Sequence, residues 1–145
     1  MRAVVQRVKE AKVTAEGKVT GEIRHGLLVL LGIHLNDSKE VARWMAEKIT
    51  LLRIFCDEKG KFQHDLGHMN GEILVVSQFT LYGACEKGRR PDFLEAAPPE
   101  HAIPLYEYFL THLKQLGFPP QCGIFGAKME VASLNDGPVT LIIER

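Results

Sequence analysis

The segment Gly26-Leu27-Leu28-Val29-Leu30-Leu31-Gly32-Ile33 constrains this chain more than any other. It is an unbroken aliphatic run between glycines, of strand length and far too short to cross a bilayer. It carries no alternating polar positions that would leave one face in water. Such a run reads as a strand buried on both faces, so the fold must supply apolar partners on two sides of one sheet. A chain of 145 residues, 46% hydrophobic and 25% charged, can build those layers as a single domain, 1–145, without disulfide staples.

The neighbouring segments read as further elements. Ala3 to Val8 is strand-like, and Val13 to Thr20 is β-branched with a hairpin turn at Glu16-Gly17-Lys18. Asp37 followed by Glu40 has capping-box spacing, with Ser38 as a competing cap. The stripe Val41, Trp44, Met45, Ile49 and Leu52 then predicts an amphipathic helix, Trp44 being read as core. Leu52 to Cys56 and Gly71 to Phe79 predict two more strands, the first ended by Asp57-Glu58-Lys59-Gly60. Pro98-Pro99-Glu100 opens a second helix with Ile103, Tyr106, Leu110 and Leu113 on its apolar face, stopped by Gly117 and Pro119. Lys128 to Leu134 and Val139 to Ile143 close the chain as two strands joined by Asn135-Asp136-Gly137-Pro138. The order β-β-β-α-β-β-α-β-β predicts an α/β (α+β) domain with a mostly antiparallel, barrel-like sheet and two main helices.

Lys plus Arg and Asp plus Glu are 18 each, so the formal net charge is 0. This excludes a protein basic all over but not a local cationic patch. The N-terminal segment lacks the apolar stretch of a signal peptide. Cys56, Cys85 and Cys122 are widely spaced and form no CxxC pair. These features point to a cytoplasmic protein with free thiols, no membrane segment and no zinc knuckle.

Four places carry chemistry-bearing residues. Ser77-Gln78-Phe79-Thr80 ends an aliphatic strand in hydroxyls and an amide. Either it satisfies backbone groups where the strand stops, or rigid strands hold these groups toward a ligand. No G-x-S-x-G elbow surrounds Ser77, which argues against a standard serine hydrolase. Asn135-Asp136-Gly137-Pro138 reads as an ordinary turn, with Pro138 removing one ladder donor. Lys87, Arg89 and Arg90 cluster on a glycine-containing loop, suited to phosphate or simply solvated, with Glu86 and Asp92 flanking. His64 and His68 have i, i+4 spacing, but Gly67 intervenes and no HExxH is present, so no metal site is expected.

Ser77-Gln78-Phe79-Thr80-Leu81 and Asn135-Asp136-Gly137-Pro138-Val139-Thr140, in this order, resemble the D-aminoacyl-tRNA deacylase family. The resemblance extends over the whole chain. It includes Val5-Gln6-Arg7-Val8, Leu52-Arg53-Ile54-Phe55, Lys87-Gly88-Arg89-Arg90-Pro91, Ala96-Ala97-Pro98-Pro99 and Phe125-Gly126-Ala127 with Met129. It implies hydrolysis of the ester between a D-amino acid and the 3′ end of tRNA, by a cytosolic homodimer with its sites at the subunit interface and no cofactor or metal. It further implies that a cis Gly137-Pro138 pair reaches the partner's pocket and rejects L-amino acids. Arg7 would hold that pair, Met129 would line the pocket, and Ser77, Gln78, Phe79 and Thr80 would form the catalytic segment. Lys87, Arg89 and Arg90 are the candidate tRNA contacts. Gly83, Cys85 and Asp92 depart from the usual pattern of the loop. The rival reading is a non-catalytic homodimeric RNA-binding module, which would bind tRNA without cleaving it. A closer rival is an editing enzyme whose main substrate is mischarged glycyl-tRNA.

Overall fold

The computed structural model describes the chain from Met1 to Arg145. Its organising strand is β1, Arg2–Ala15. Glu16 and Gly17, both at positive φ (51° and 75°), turn it into β2, Lys18–Ile23. The hairpin turn is the expected one, but the two separate N-terminal strands of the sequence reading are one 14-residue strand. Lys9, Glu10 and Lys12 break its apolar pattern because they face solvent, while both edges of the strand remain paired.

The apolar run becomes β3, Gly26–Gly32, antiparallel to the first half of β1. Helix α1 (Lys39–Thr50) follows, then the short hairpin β4 (Phe55–Cys56) and β5 (Phe62–His64). Strand β6 (Glu72–Ser77) pairs parallel with β3, and helix α2 (Pro99–Gln115) leads to β7 (Gln121–Cys122), parallel to β6. The last strand, β8 (Met129–Glu144), runs antiparallel to nearly the whole of β1. Edge strands β7 and β2 approach so closely that a Cβ on Gly21 would lie 2.9 Å from the Cys122 carbonyl. The sheet is therefore a nearly closed barrel, antiparallel around β1 as expected and parallel where β6 joins β3 and β7.

Burial on both faces of β3 is borne out. Leu27, Val29 and Leu31 pack with Ile73 and Val75 of β6 against α1 and α2. Leu28, Leu74, Val76, Val8, Val13 and Ile23 fill the barrel interior. Two strands of pure aliphatics thus join two cores, and α1 and α2 cover the outer one.

Several local expectations are corrected. Asp37 does not cap α1; the N-cap is Ser38, and the Asp37 carboxylate accepts from the Met1 amine at 2.6 Å and from His34 N at 2.7 Å. Trp44 does pack against the outer core, as expected, but from its edge and partly buried, while Ala42, Met45, Ala46 and Ile49 form the fully buried face of α1. On α2 the inward face is Ala102, Leu105, Tyr106, Phe109 and Leu113, which leaves Ile103 exposed. The expected strand from Leu52 shrinks to Phe55–Cys56, since α1 and its cap run to Leu51. The two C-terminal strands are one, because β1 supplies a continuous template for both halves.

Candidate active site

Strand β6 delivers the polar segment. Ser77 pairs with Leu31, and Gln78 N donates to Leu31 O at 2.8 Å, so β3 extends its register one residue past the strand. Phe79–Tyr82 then turns as a single 3-10 helix. Such a turn leaves the amides of its first residues, Phe79 and Thr80, outside its own hydrogen-bond ladder. Ser77 and Gln78 are half-buried, whereas Phe79 and Thr80 are exposed. The Gln78 Nε2 amide donates to the Thr80 hydroxyl. No histidine or carboxylate hydrogen-bonds to that hydroxyl.

Beside this segment lies a cavity of about 240 Å³. Ser77, Gln78 and Phe79 line one wall, and Phe125, Gly126, Ala127 and Met129 another, over an apolar floor that includes Leu31 and Val76. Tyr106 braces the second wall. Its ring lies 5.5 Å from that of Phe125, and its hydroxyl donates to Val75 O at 3.1 Å. Burial pushes the Tyr106 phenol well above its ordinary pKa, so it stays a neutral donor. Gly123 leaves room for the Met129 thioether, whose sulfur a Cβ there would meet. The cavity is mostly apolar with a polar lip, the usual make-up of a small-molecule site.

Gly137 and Pro138 do not line this cavity. They lie exposed in β8 where the β1 register slips: Gln6 faces Thr140 and Val8 faces Asn135, so residues 136–139 form a bulge opposite Arg7, with Val139 turned into the core. The Gly137–Pro138 peptide bond is cis. The expected turn is thus a bulge inside a strand, not a hairpin connection. Asn135 clamps it from within, accepting from Val139 N at 3.0 Å and donating to the Thr140 hydroxyl at 2.9 Å.

Arg7 clamps the bulge from the body of the protein. It continues the buried face of Ala3 and Val5 and is only 7% exposed. Its Nε donates to Asp136 O at 3.0 Å and lies 3.3 Å from the Asp136 carboxylate. Its Nη1 donates to Ile54 O at 2.5 Å and to Cys56 Sγ at 3.6 Å. Asn135, Asp136 and Ile54 are partners of Arg7 or of the bulge to which the sequence reading gave no role. The available signal was a single arginine at an inward position of an apolar strand, since a buried cation demands acceptors from elsewhere.

The cationic loop is exposed at Lys87, Arg89 and Arg90. Its ends are held by Ala84 N to Asp92 O at 2.9 Å and Asp92 N to Ala84 O at 3.1 Å. Glu86 and Asp92 flank these cations without forming an ion pair to them. Phe93 packs edge-on to Phe79, ring centroids 5.0 Å apart, and so ties the loop's end to the cavity's polar lip. His64 and His68 do not share a helix. Their rings are 5.5 Å apart, with His68 bonded to Asp65, and no group of three or more possible ligands gathers around one point.

The fold is a single domain of mixed α/β architecture with a cavity at the end of a central strand. A family model described as D-Tyr-tRNA(Tyr) deacylase matches residues 4–144. A D-aminoacyl-tRNA deacylase of Halalkalibacterium halodurans is 56% identical over 144 residues, covering 99% of both chains. That of Thermus aquaticus is 56% identical over 144 residues, covering 99% of this chain and 95% of its own. A solved structure titled c-Myc DNA Unwinding Element Binding Protein superposes with a TM-score of 0.94 at 44% identity, covering 100% of this chain and 99% of its own. A probable eukaryotic D-amino acid tRNA deacylase shares the fold, with a TM-score of 0.87 at 16% identity, covering 98% of this chain and 97% of its own. The chain belongs to the D-Tyr-tRNA(Tyr) deacylase family and is an enzyme, a hydrolase. No helix is long and apolar enough to cross a membrane.

Proposed function

We propose that this protein hydrolyses the ester bond of D-aminoacyl-tRNA to free D-amino acid and tRNA, in the cytoplasm and as a homodimer, and spares L-aminoacyl-tRNA. The observation that carries the reading is the cavity walled by Ser77, Gln78 and Phe79 on one side and Met129 on the other, in a chain of this family. The cavity suits an aminoacyl end rather than a whole nucleic acid. Lys87, Arg89 and Arg90, tied to its lip through Phe93 and Phe79, are placed to meet the phosphates behind that end.

In the reaction a water oxygen bonds to the ester carbonyl carbon, the bond to the ribose 3′ oxygen breaks, and that oxygen leaves with a proton. Oxyanion stabilisation falls to the amides of Phe79 and Thr80, and Gln78 orients the ester or the water. The Thr80 hydroxyl has no base to activate it, so its partnership with Gln78 favours attack by water assisted by the neighbouring ribose hydroxyl over a covalent intermediate. Thr80→Ala is therefore expected to keep activity within about tenfold, where removing a true nucleophile lowers rates about a million-fold. A trapped acyl ester on Thr80 would overturn this.

Chiral exclusion is assigned to Gly137 and Pro138 of the partner subunit's copy of the bulge, whose carbonyls would stand where an L side chain projects. Glycine, having no side chain, would not be fully rejected. The exposed bulge and the exposed apolar Ile142 on the same strand support a partner at β8. The deciding measurement is hydrolysis of matched D- and L-tyrosyl-tRNA by the purified chain, with glycyl-tRNA as a third substrate. The D ester should be cleaved and the L ester spared. Equal rates on D and L would sink the chiral reading, and tRNA binding without cleavage would favour the binding-module rival.

A further inference from the structure

We infer that Phe62, on the β4–β5 hairpin, is a positioning residue for chiral discrimination, acting through Arg7 on the bulge at residues 136–139. This rests on the reading of that bulge as the element that excludes L-amino acids. Phe62 is 52% exposed and belongs to neither core, whereas Phe55 on the paired strand is 2% exposed and packs in the outer core. A large aromatic left half in water on a two-stranded hairpin contributes little to core packing. What its ring does meet is a cation: the Arg7 Cζ lies 5.6 Å from the ring centroid, within cation–π range.

The hairpin and the chain leading into it thus present three groups to one guanidinium: the Ile54 carbonyl, the Cys56 sulfur and the Phe62 ring. The bulge presents the Asp136 carbonyl and carboxylate to the same guanidinium. Gly137 sits just as close, since a Cβ there would be 3.1 Å from Arg7 Nη2. Arg7 is a rivet between hairpin and bulge, and Phe62 is the cap on the rivet. With the ring removed, water reaches that face of the guanidinium and competes with Asp136 for its donors. The bulge then loosens against the body of the protein, and its internal Asn135 clamp on the Val139 N–H opens more often. A wedge that works by collision loses selectivity when it can yield.

The test uses the full-length chain with Phe62→Ala, Phe62→Leu and Phe62→Tyr. Two readouts are taken: the ratio of L- to D-tyrosyl-tRNA hydrolysis, and amide hydrogen exchange at Val139, whose N–H is held by Asn135. Phe62→Ala should raise the L to D ratio about tenfold, with the D rate within about twofold of the parent, and should speed exchange at Val139. Phe62→Tyr should restore both, and Phe62→Leu, apolar but without a π face, neither. A general loss of stability would instead lower both rates together and be rescued by leucine. Unchanged exchange at Val139 in Phe62→Ala, or full rescue by Phe62→Leu, overturns this inference alone if the parent still discriminates. A parent that cleaves L and D equally overturns both this inference and the chiral reading beneath it.

Discussion

Arg7→Ala is expected to lower stability by about 3 kcal/mol and to abolish discrimination between D and L substrates. The stability loss follows from what the guanidinium leaves behind. Ile54 O loses a donor in a buried setting, and the Asp136 carboxylate loses its cation. For a chain of this size about 3 kcal/mol corresponds to about 10 °C in melting temperature. Arg7→Lys should recover only part of it. Lysine has a single nitrogen, whereas Arg7 reaches Asp136 O and Ile54 O from two separate ones, Nε and Nη1, held in a planar fork. Arg2→Lys is the control. Arg2 pairs with Glu144 at 2.8 Å, with its side chain 31% exposed and that of Glu144 52% exposed, and it should shift stability by less than about 1 kcal/mol. Thermal denaturation read beside the L to D ratio separates the two consequences. An Arg7→Ala protein that melts like its parent would show that the clamp contributes nothing, whatever its catalytic behaviour.

The second large effect is expected at Gly26, far from any reacting atom. A Cβ on this residue would lie 2.7 Å from both the backbone carbon and nitrogen of Glu72, and closer still to its carbonyl oxygen. These are backbone atoms of the neighbouring strand, so no side chain can turn aside. Gly26→Ala must therefore pry β3 from β6 at the start of their parallel register. It should cost about 3 kcal/mol or more, at the upper end of overpacking effects. Gly17→Ala provides the contrast. Its φ is +75° and nothing lies within 4 Å of the added carbon, so only backbone strain of about 1 kcal/mol is expected. Denaturant unfolding of the two variants should differ by about 2 kcal/mol. Equal destabilisation would mean that the strands give way at Gly26 without resistance.

The apolar faces of this fold were legible because their signal is local. An unbroken aliphatic run between glycines can only be a strand covered on both sides, and β3 with β6 is that strand pair. The Glu16-Gly17 turn and the start of the second helix were legible for the same reason, since backbone preference acts within a few residues. Helix faces were less so. On α2 the periodicity admits two rotations, and small Ala102 turned inward with Leu105 and Phe109 in place of Ile103. Asp37 had the spacing of a cap, yet a buried amine across the molecule claimed its carboxylate. The C-terminal segment looked like two strands and a turn because Asn-Asp-Gly-Pro is a turn signal wherever nothing else competes. Here the uninterrupted β1 competes and wins, folding the signal into a bulge.

The sequence by itself determined the existence of two aliphatic layers, the polar segment at the end of β6 and, through its motifs, the family. Each is carried by residues that are neighbours in the chain. Only the tertiary structure decided which groups act together. Arg7, Ile54, Phe62 and Asp136 are separated by up to 129 positions, and nothing in any one segment names the others. They meet because a buried guanidinium must find acceptors, and the packing of hairpin, first strand and last strand is what brings those acceptors within its reach.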